Sequence, residues 1–219
     1  MPEKRTAGKD GDFLRITNDM FEPDETEQVE NFNIRMIEKL SQLVADNREV
    51  ILKDPEPMLK FIELYVKHYV TKAEFKGEQN FPDQGRVVVA SNHQFGYVDI
   101  LSLMNFLTQK YKGRPWTFVS NVGTFTRLFP HWREDPRFSD HIIPVSREKI
   151  GFNARIVNGE QIIQKAISFL ESNNNPMLFI APEGADATYQ NQIYRPRRGF
   201  ARIARGRSEY STSRYYRCG

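Results

Sequence analysis

The sequence predicts an α/β domain: a mostly parallel central sheet flanked by helices, with an N-terminal helical segment ahead of it. Three observations carry that reading. Short apolar runs such as Val87-Val88-Val89-Ala90 and Met177-Leu178-Phe179-Ile180 lack the polar alternation of a half-exposed strand; strands covered on both faces read this way. Stretches of helical periodicity separate these runs, as in strand–helix–strand layering. The chain has 219 residues, 39% of them hydrophobic, which suffices for one domain with its own core.

The elements follow in order. Residues 1–23 are polar and read as a flexible leader. Residues 24–72 read as the helical segment. Asp24 with Glu27 three later has the pattern of a capping pair, and Val29, Phe32, Met36, Leu40 and Leu43 recur at helical spacing, predicting a helix over residues 25–47. Asp54-Pro55-Glu56-Pro57 breaks it. A second helix from Met58 to Val70 puts Met58, Leu59, Ile62, Tyr65, Val66 and Tyr69 on one face, with Lys60, Glu63 and Lys67 opposite. That apolar face either packs on the domain or lies in a membrane interface.

Residues 73–206 carry the α/β pattern. Strands are predicted at Ala73–Lys76, Arg86–Ala90, Trp116–Ser120, His141–Val145 and Met177–Ala181. Helices are predicted from Tyr97 to Lys110 and from Asn158 to Glu171. Asn158 and Gln161 stand at the cap and third positions of the second, whose buried face holds Ile162, Ile163, Ala166, Ile167 and Leu170. Phe125, Phe129 and Trp132 either line an apolar groove or pack in the core. Residues 207–219, rich in Arg, Ser and Tyr, lack periodicity and read as an irregular basic tail.

Composition narrows the function classes. The net charge is +3, but residues 1–31 hold four basic and nine acidic side chains, whereas residues 186–219 hold eight Arg against Asp186 and Glu209. A basic C-terminal third favours anionic partners. Cys218 is the sole cysteine, so no internal disulfide and no cysteine metal site can form. His68, His131 and His141 have no metal-ligand spacing with one another. No apolar stretch approaches the ~18–20 residues of a membrane span, and Met1-Pro2-Glu3-Lys4-Arg5 opens no signal peptide. The expectation is a soluble or peripheral, cytoplasmic protein.

The richest stretch is Asn92-His93-Gln94-Phe95-Gly96-Tyr97-Val98-Asp99, directly after the strand Val87–Ala90. A neutral imidazole held by a carboxylate is a general base suited to an alcohol near neutral pH. The carboxylate fixes the tautomer and stabilises the imidazolium, and the enzyme needs no serine if the substrate supplies the hydroxyl. Three further segments accompany it: a strand ending at Arg147, Phe179-Ile180-Ala181-Pro182-Glu183-Gly184 at another strand end, and Arg197-Arg198-Gly199-Phe200-Ala201 entering a helix. Ligands of parallel sheets gather at strand C-termini, so one crevice could collect all four segments. Arg147 suits bidentate phosphate binding, and the helix start after Gly199 offers backbone donors.

This ordered set resembles the lysophosphatidate and glycerol-phosphate acyltransferase superfamily, over roughly residues 73–206. Its signature is Asn-His-x4-Asp, a strand ending in Arg, Phe-Pro-Glu-Gly-Thr-Arg-Ser, and a Lys-Lys-Gly-Ala-like helix start. Here these correspond to Asn92-His93 with Asp99, Ile143 to Arg147, Ala181-Pro182-Glu183-Gly184, and Arg198-Gly199-Phe200-Ala201. Phe75-Lys76-Gly77-Glu78 through Phe81-Pro82 is similar to the family's lead-in. The resemblance implies acyl transfer from an acyl-CoA or acyl-carrier-protein thioester to a hydroxyl of a glycerol-phosphate or lysophospholipid acceptor. In it His93 is the base, Asp99 orients His93, and Asn92, Arg147, Glu183, Gly184 and Arg198 bind substrate. It implies no cofactor and no metal, and a membrane surface as the working partner.

Three departures stand out. Asp99 is six positions after His93 rather than five, and one extra residue inside a helix would turn the carboxylate by ~100°; Gly96 is placed to absorb it before the helix starts. Phe95 replaces the usual Ser, and Ala185-Asp186-Ala187 replaces Thr-Arg-Ser, removing a basic side chain. The family also continues beyond the segment matched here, so the domain reads as incomplete at its C-terminus. Other readings remain: a catalytically weak relative that binds lipid or acyl carrier, and a hydrolase. A nucleic-acid binder has only the Arg/Tyr tail in its favour, and no nucleic-acid partner is expected.

Overall fold

A computed structural model of the protein describes residues 15–17, 29–75, 77–91, 97–150, 153–156, 158–181, 198–205 and 216–218. The chain opens with β1 (Arg15–Thr17), followed by α1 (Val29–Lys53) and α2 (Pro57–Tyr69). Helix α1 thus runs six residues beyond the expected end at 47, up to the Asp54–Glu56 bend. Pro57 opens α2, where its missing N–H costs nothing. The expected Asp24–Glu27 capping pair lies outside the described residues.

The apolar face of α2 packs on the domain. Met58, Phe61, Ile62 and Tyr65 are buried in one cluster with Leu40, Leu43 and Ile51 of α1. The Tyr69 hydroxyl donates to the Lys39 carbonyl at 2.8 Å, joining the two helices. That face is therefore occupied by protein, not open to a membrane.

The sheet is built from β3 (Val87–Ser91), β4 (Trp116–Asn121), β5 (Ile142–Val145) and β8 (Met177–Ile180), in the order β5-β4-β8-β3, all parallel. Tyr216–Cys218 (β9) adds to the free edge of β3, also parallel. The tail expected to be irregular thus holds a short strand; an edge strand offers unpaired backbone groups to whatever segment reaches it. Among the described residues, two short antiparallel pairs lie outside the sheet. One joins β1 to β2 (Lys72–Glu74), and the other is the hairpin of β6 (Arg147–Ile150) and β7 (Asn153–Ile156).

Helices cover both faces. Helix α3 (Tyr97–Lys110), together with α1, α2, α4 (Val122–Leu128) and α5 (Pro136–Ser139), buries Val87, Val89, Trp116, Phe118, Met177 and Phe179. Helix α6 (Gly159–Ser172) and α7 (Arg198–Arg205) bury Val88, Ala90, Ile143, Val145, Leu178 and Ile180. Alternate residues of each strand thus face opposite layers, both apolar, which explains the unbroken runs in the sequence. Phe125, Phe129 and Trp132 are core residues; Phe61 meets Phe125 and Phe129 edge to face at 6.3 and 5.6 Å.

At the N-terminal edge of the sheet one arginine closes three loops. Arg114 follows Gly113, whose φ of +80° suits glycine. Its guanidinium donates to the carbonyls of Asn175, Pro82 and Gly85 at 2.8, 2.9 and 2.6 Å. This knot ties the starts of β3, β4 and β8 together.

Candidate active site

Parallel pairing decides which residues share an edge. Ala90 is in register with Ile180, so the segments after β3 and β8 leave the sheet side by side. The first leads to Asn92 and His93, the second to Glu183 and Gly184. These four residues lie outside the described residues, and only the departure points of their segments are fixed. Strand β5 ends at Val145 on the same edge, with Arg147 opening β6 two residues later. Strands β3 and β5 are separated by β8 and β4. Three strand spacings of ~4.8 Å put about 14 Å between their ends.

Asp99 stands in the first turn of α3 and is only 8% exposed. Its Oδ1 accepts the Ile100 N–H at 2.6 Å. A carboxylate at this position meets first-turn N–H groups and the positive end of the helix dipole, which orient it. The helix begins at Tyr97, directly after Gly96. Asp99 is thus the third residue of α3, and the residues between His93 and Tyr97, where the extra position was expected to be absorbed, lie outside the described residues.

Ser91, the last residue of β3, precedes Asn92 and is 4% exposed, and its Oγ has no hydrogen-bond partner among the described residues. At the end of β4, Asn121 caps α4, its Oδ1 accepting the Gly123 N–H at 3.1 Å.

Arg198 opens α7 on the other layer. Helix α7 is seated by Ile203 and Phe200 in the cluster it shares with α6. It is also fastened by Arg202, whose Nη2 donates to Glu160 Oε1 at 2.9 Å. The Arg202 guanidinium holds the exposed Glu160 carboxyl down at about 2. The structure therefore brings Asp99 from one layer, and the start of the Arg198 helix from the other, to a sheet whose C-terminal edge also emits the Arg147 segment.

Asn158 departs from its expected role. It occupies the N-cap position of α6 but makes no side-chain capping bond. Instead its Oδ1 accepts the Ser146 N–H at 2.9 Å and its Nδ2 donates to the Pro144 carbonyl at 2.8 Å. Sequence reasoning found Asn158 but assigned it to its own helix, because capping is a local pattern and the β5 contact is not.

The other histidines are not drawn into this edge. His68 is exposed and bonds the Leu64 carbonyl at 2.9 Å within its own helix. His131 is exposed and lies 3.3 Å from Glu134. His141 precedes β5, which starts at Ile142 rather than at His141 as expected. Among the described residues there is no cluster of three or more His, Cys, Asp or Glu side chains, and no helix is long and apolar enough to cross a membrane.

Comparison with known families matches residues 72–209 to the model described as Acyltransferase. Searches of curated proteins and of solved structures return no match.

Proposed function

The chain belongs to the acyltransferase family, in which an acyl group passes to a lipid acceptor, and from that premise we propose the finer reaction: transfer from an acyl-CoA or acyl-carrier-protein thioester to a hydroxyl of a glycerol-phosphate or lysophospholipid acceptor at a membrane surface. The observation that supports it best is the shared edge. The segments holding Asn92-His93 and Glu183-Gly184 leave adjacent parallel strands, and the buried Asp99 stands in the first turn of the helix that follows the first of them.

In this reading His93 takes the proton of the acceptor hydroxyl as its oxygen attacks the thioester carbonyl. The tetrahedral oxyanion collapses, the C–S bond breaks, and the imidazolium returns the proton to the departing thiolate. Asp99 holds the imidazole in its reactive tautomer and stabilises the transient imidazolium. The steps need neither a covalent acyl-enzyme nor a cofactor. Arg147 and Arg198 bind phosphate, and Asn92, Glu183 and Gly184 shape the acceptor pocket.

The test is transfer of a labelled acyl group to glycerol phosphate, lysophospholipid and neutral glycerolipid acceptors in the presence of vesicles. His93→Ala and Asp99→Asn should each lower the rate by about 10²–10⁴-fold while the fold is kept. Wild-type rates in either variant would remove that residue from the mechanism. Tight thioester binding without product from the wild type would favour a binding relative, the reading suggested by the extra residue before Asp99.

A further inference from the structure

We propose that Asn158 is a positioning residue for Arg147: its side-chain amide acts as a one-residue strand partner on the open edge of β5 and so sets where the Arg147 segment leaves the sheet. The inference rests on the phosphate-binding role given to Arg147 above.

Strand β5 is the outermost strand on its side of the sheet. In a parallel ladder, one residue of the neighbouring strand donates to the carbonyl of residue i and accepts from the N–H of residue i+2. The Asn158 amide makes this pair of bonds, donating to Pro144 and accepting from Ser146, and thereby brackets Val145. A carboxamide has the donor and acceptor that a peptide group would supply. The next residue, Arg147, opens the hairpin, whose second strand returns at Ile156, in register with Arg147 and two residues before Asn158. The amide therefore sits at the base of the hairpin, where both of its strands leave the body of the domain. The arrangement also leaves α6 without the side-chain cap that an asparagine ordinarily provides.

This separates a positioning role from a capping role. Aspartate is as good an N-cap as asparagine and favours the helix dipole. It has no donor, however, and sets a negative oxygen against the Pro144 carbonyl. Asn158→Asp should thus preserve the melting temperature yet loosen the Arg147 segment. Binding of lysophosphatidate and of glycerol 3-phosphate, together with thermal melting, would be measured for the wild type, Asn158→Asp, Asn158→Ala, Arg147→Ala and the Asn158→Asp/Arg147→Ala double variant. The expected result is about tenfold weaker phosphate binding in Asn158→Asp, the loss of one charge-assisted contact, with little change in melting temperature. The penalty should vanish once Arg147 is absent. Wild-type affinity in Asn158→Asp, or a penalty undiminished beside Arg147→Ala, would overturn the inference while leaving Arg147 as a phosphate ligand. Unchanged binding in Arg147→Ala, or no binding by the wild type, would instead overturn the role of Arg147 and this inference with it.

Discussion

The His141 ring lies flat on the Trp116 indole, with centroids 4.0 Å apart and planes 16° apart, and its Nδ1 meets the Trp116 carbonyl at 3.0 Å. A carbonyl only accepts, so the imidazole carries its proton on Nδ1. Burial pushes the His141 pKa below 6.5. Between that lowered value and 6.5 the unfolded chain binds more protons than the folded one. Stability is therefore full above pH 6.5 and declines as the pH falls below it. His141→Phe keeps the stacking and removes the titration. Melting temperature against pH should fall less steeply below 6.5 in the variant; parallel curves would rule out His141 as the source.

Arg114 predicts a stability effect remote from the chemistry. It donates to three carbonyls and stacks over Tyr111 at 5.4 Å. Arg114→Met keeps much of the apolar stem and removes every donor. The expected cost is about 2–4 kcal/mol in denaturant unfolding, since hydrogen bonds from a charged donor contribute about 1.5–3 kcal/mol each and these carbonyls are partly reached by water. Arg114→Lys should recover less than half, because a point charge cannot fork to three acceptors. Full recovery by lysine would mean that charge alone holds the knot.

Ser102 predicts a gain. It lies within α3, 1% exposed, and its Oγ has no hydrogen-bond partner among the described residues. A buried hydroxyl without a partner is destabilising, and alanine is the better helix former. Ser102→Ala should raise unfolding stability by about 0.5–1 kcal/mol, read from a denaturant midpoint shift at constant slope. A loss of stability would show that the hydroxyl is bonded in solution.

The sequence was most legible where local pattern and tertiary environment agree. Helix α3 has the predicted bounds, Tyr97–Lys110. The β3, β4 and β8 runs fall within a residue of expectation, because strands buried on both faces must be continuously apolar. Legibility failed for short or non-local elements. Helices α4 and α5 are seven and four residues long, too short for a periodicity to register. The hairpin Arg147–Ile156 mixes charged and apolar residues without strand alternation. Asn158 looked like a cap because only the fold brings β5 beside it.

The sequence by itself determined the family, the layer pattern and the order of the segments that carry His93, Asp99, Arg147, Glu183 and Arg198. Those follow from residue identities and their spacing along one chain. The tertiary structure alone decided that β8 inserts between β3 and β4, so that the strands ending before His93 and Glu183 are neighbours and the strand ending before Arg147 is three positions from β3. It also decided that the apolar face of α2 is covered and that the Asn158 amide completes the edge of β5. Strand order and edge pairing arise from contacts between residues far apart in the chain, and no local periodicity encodes them.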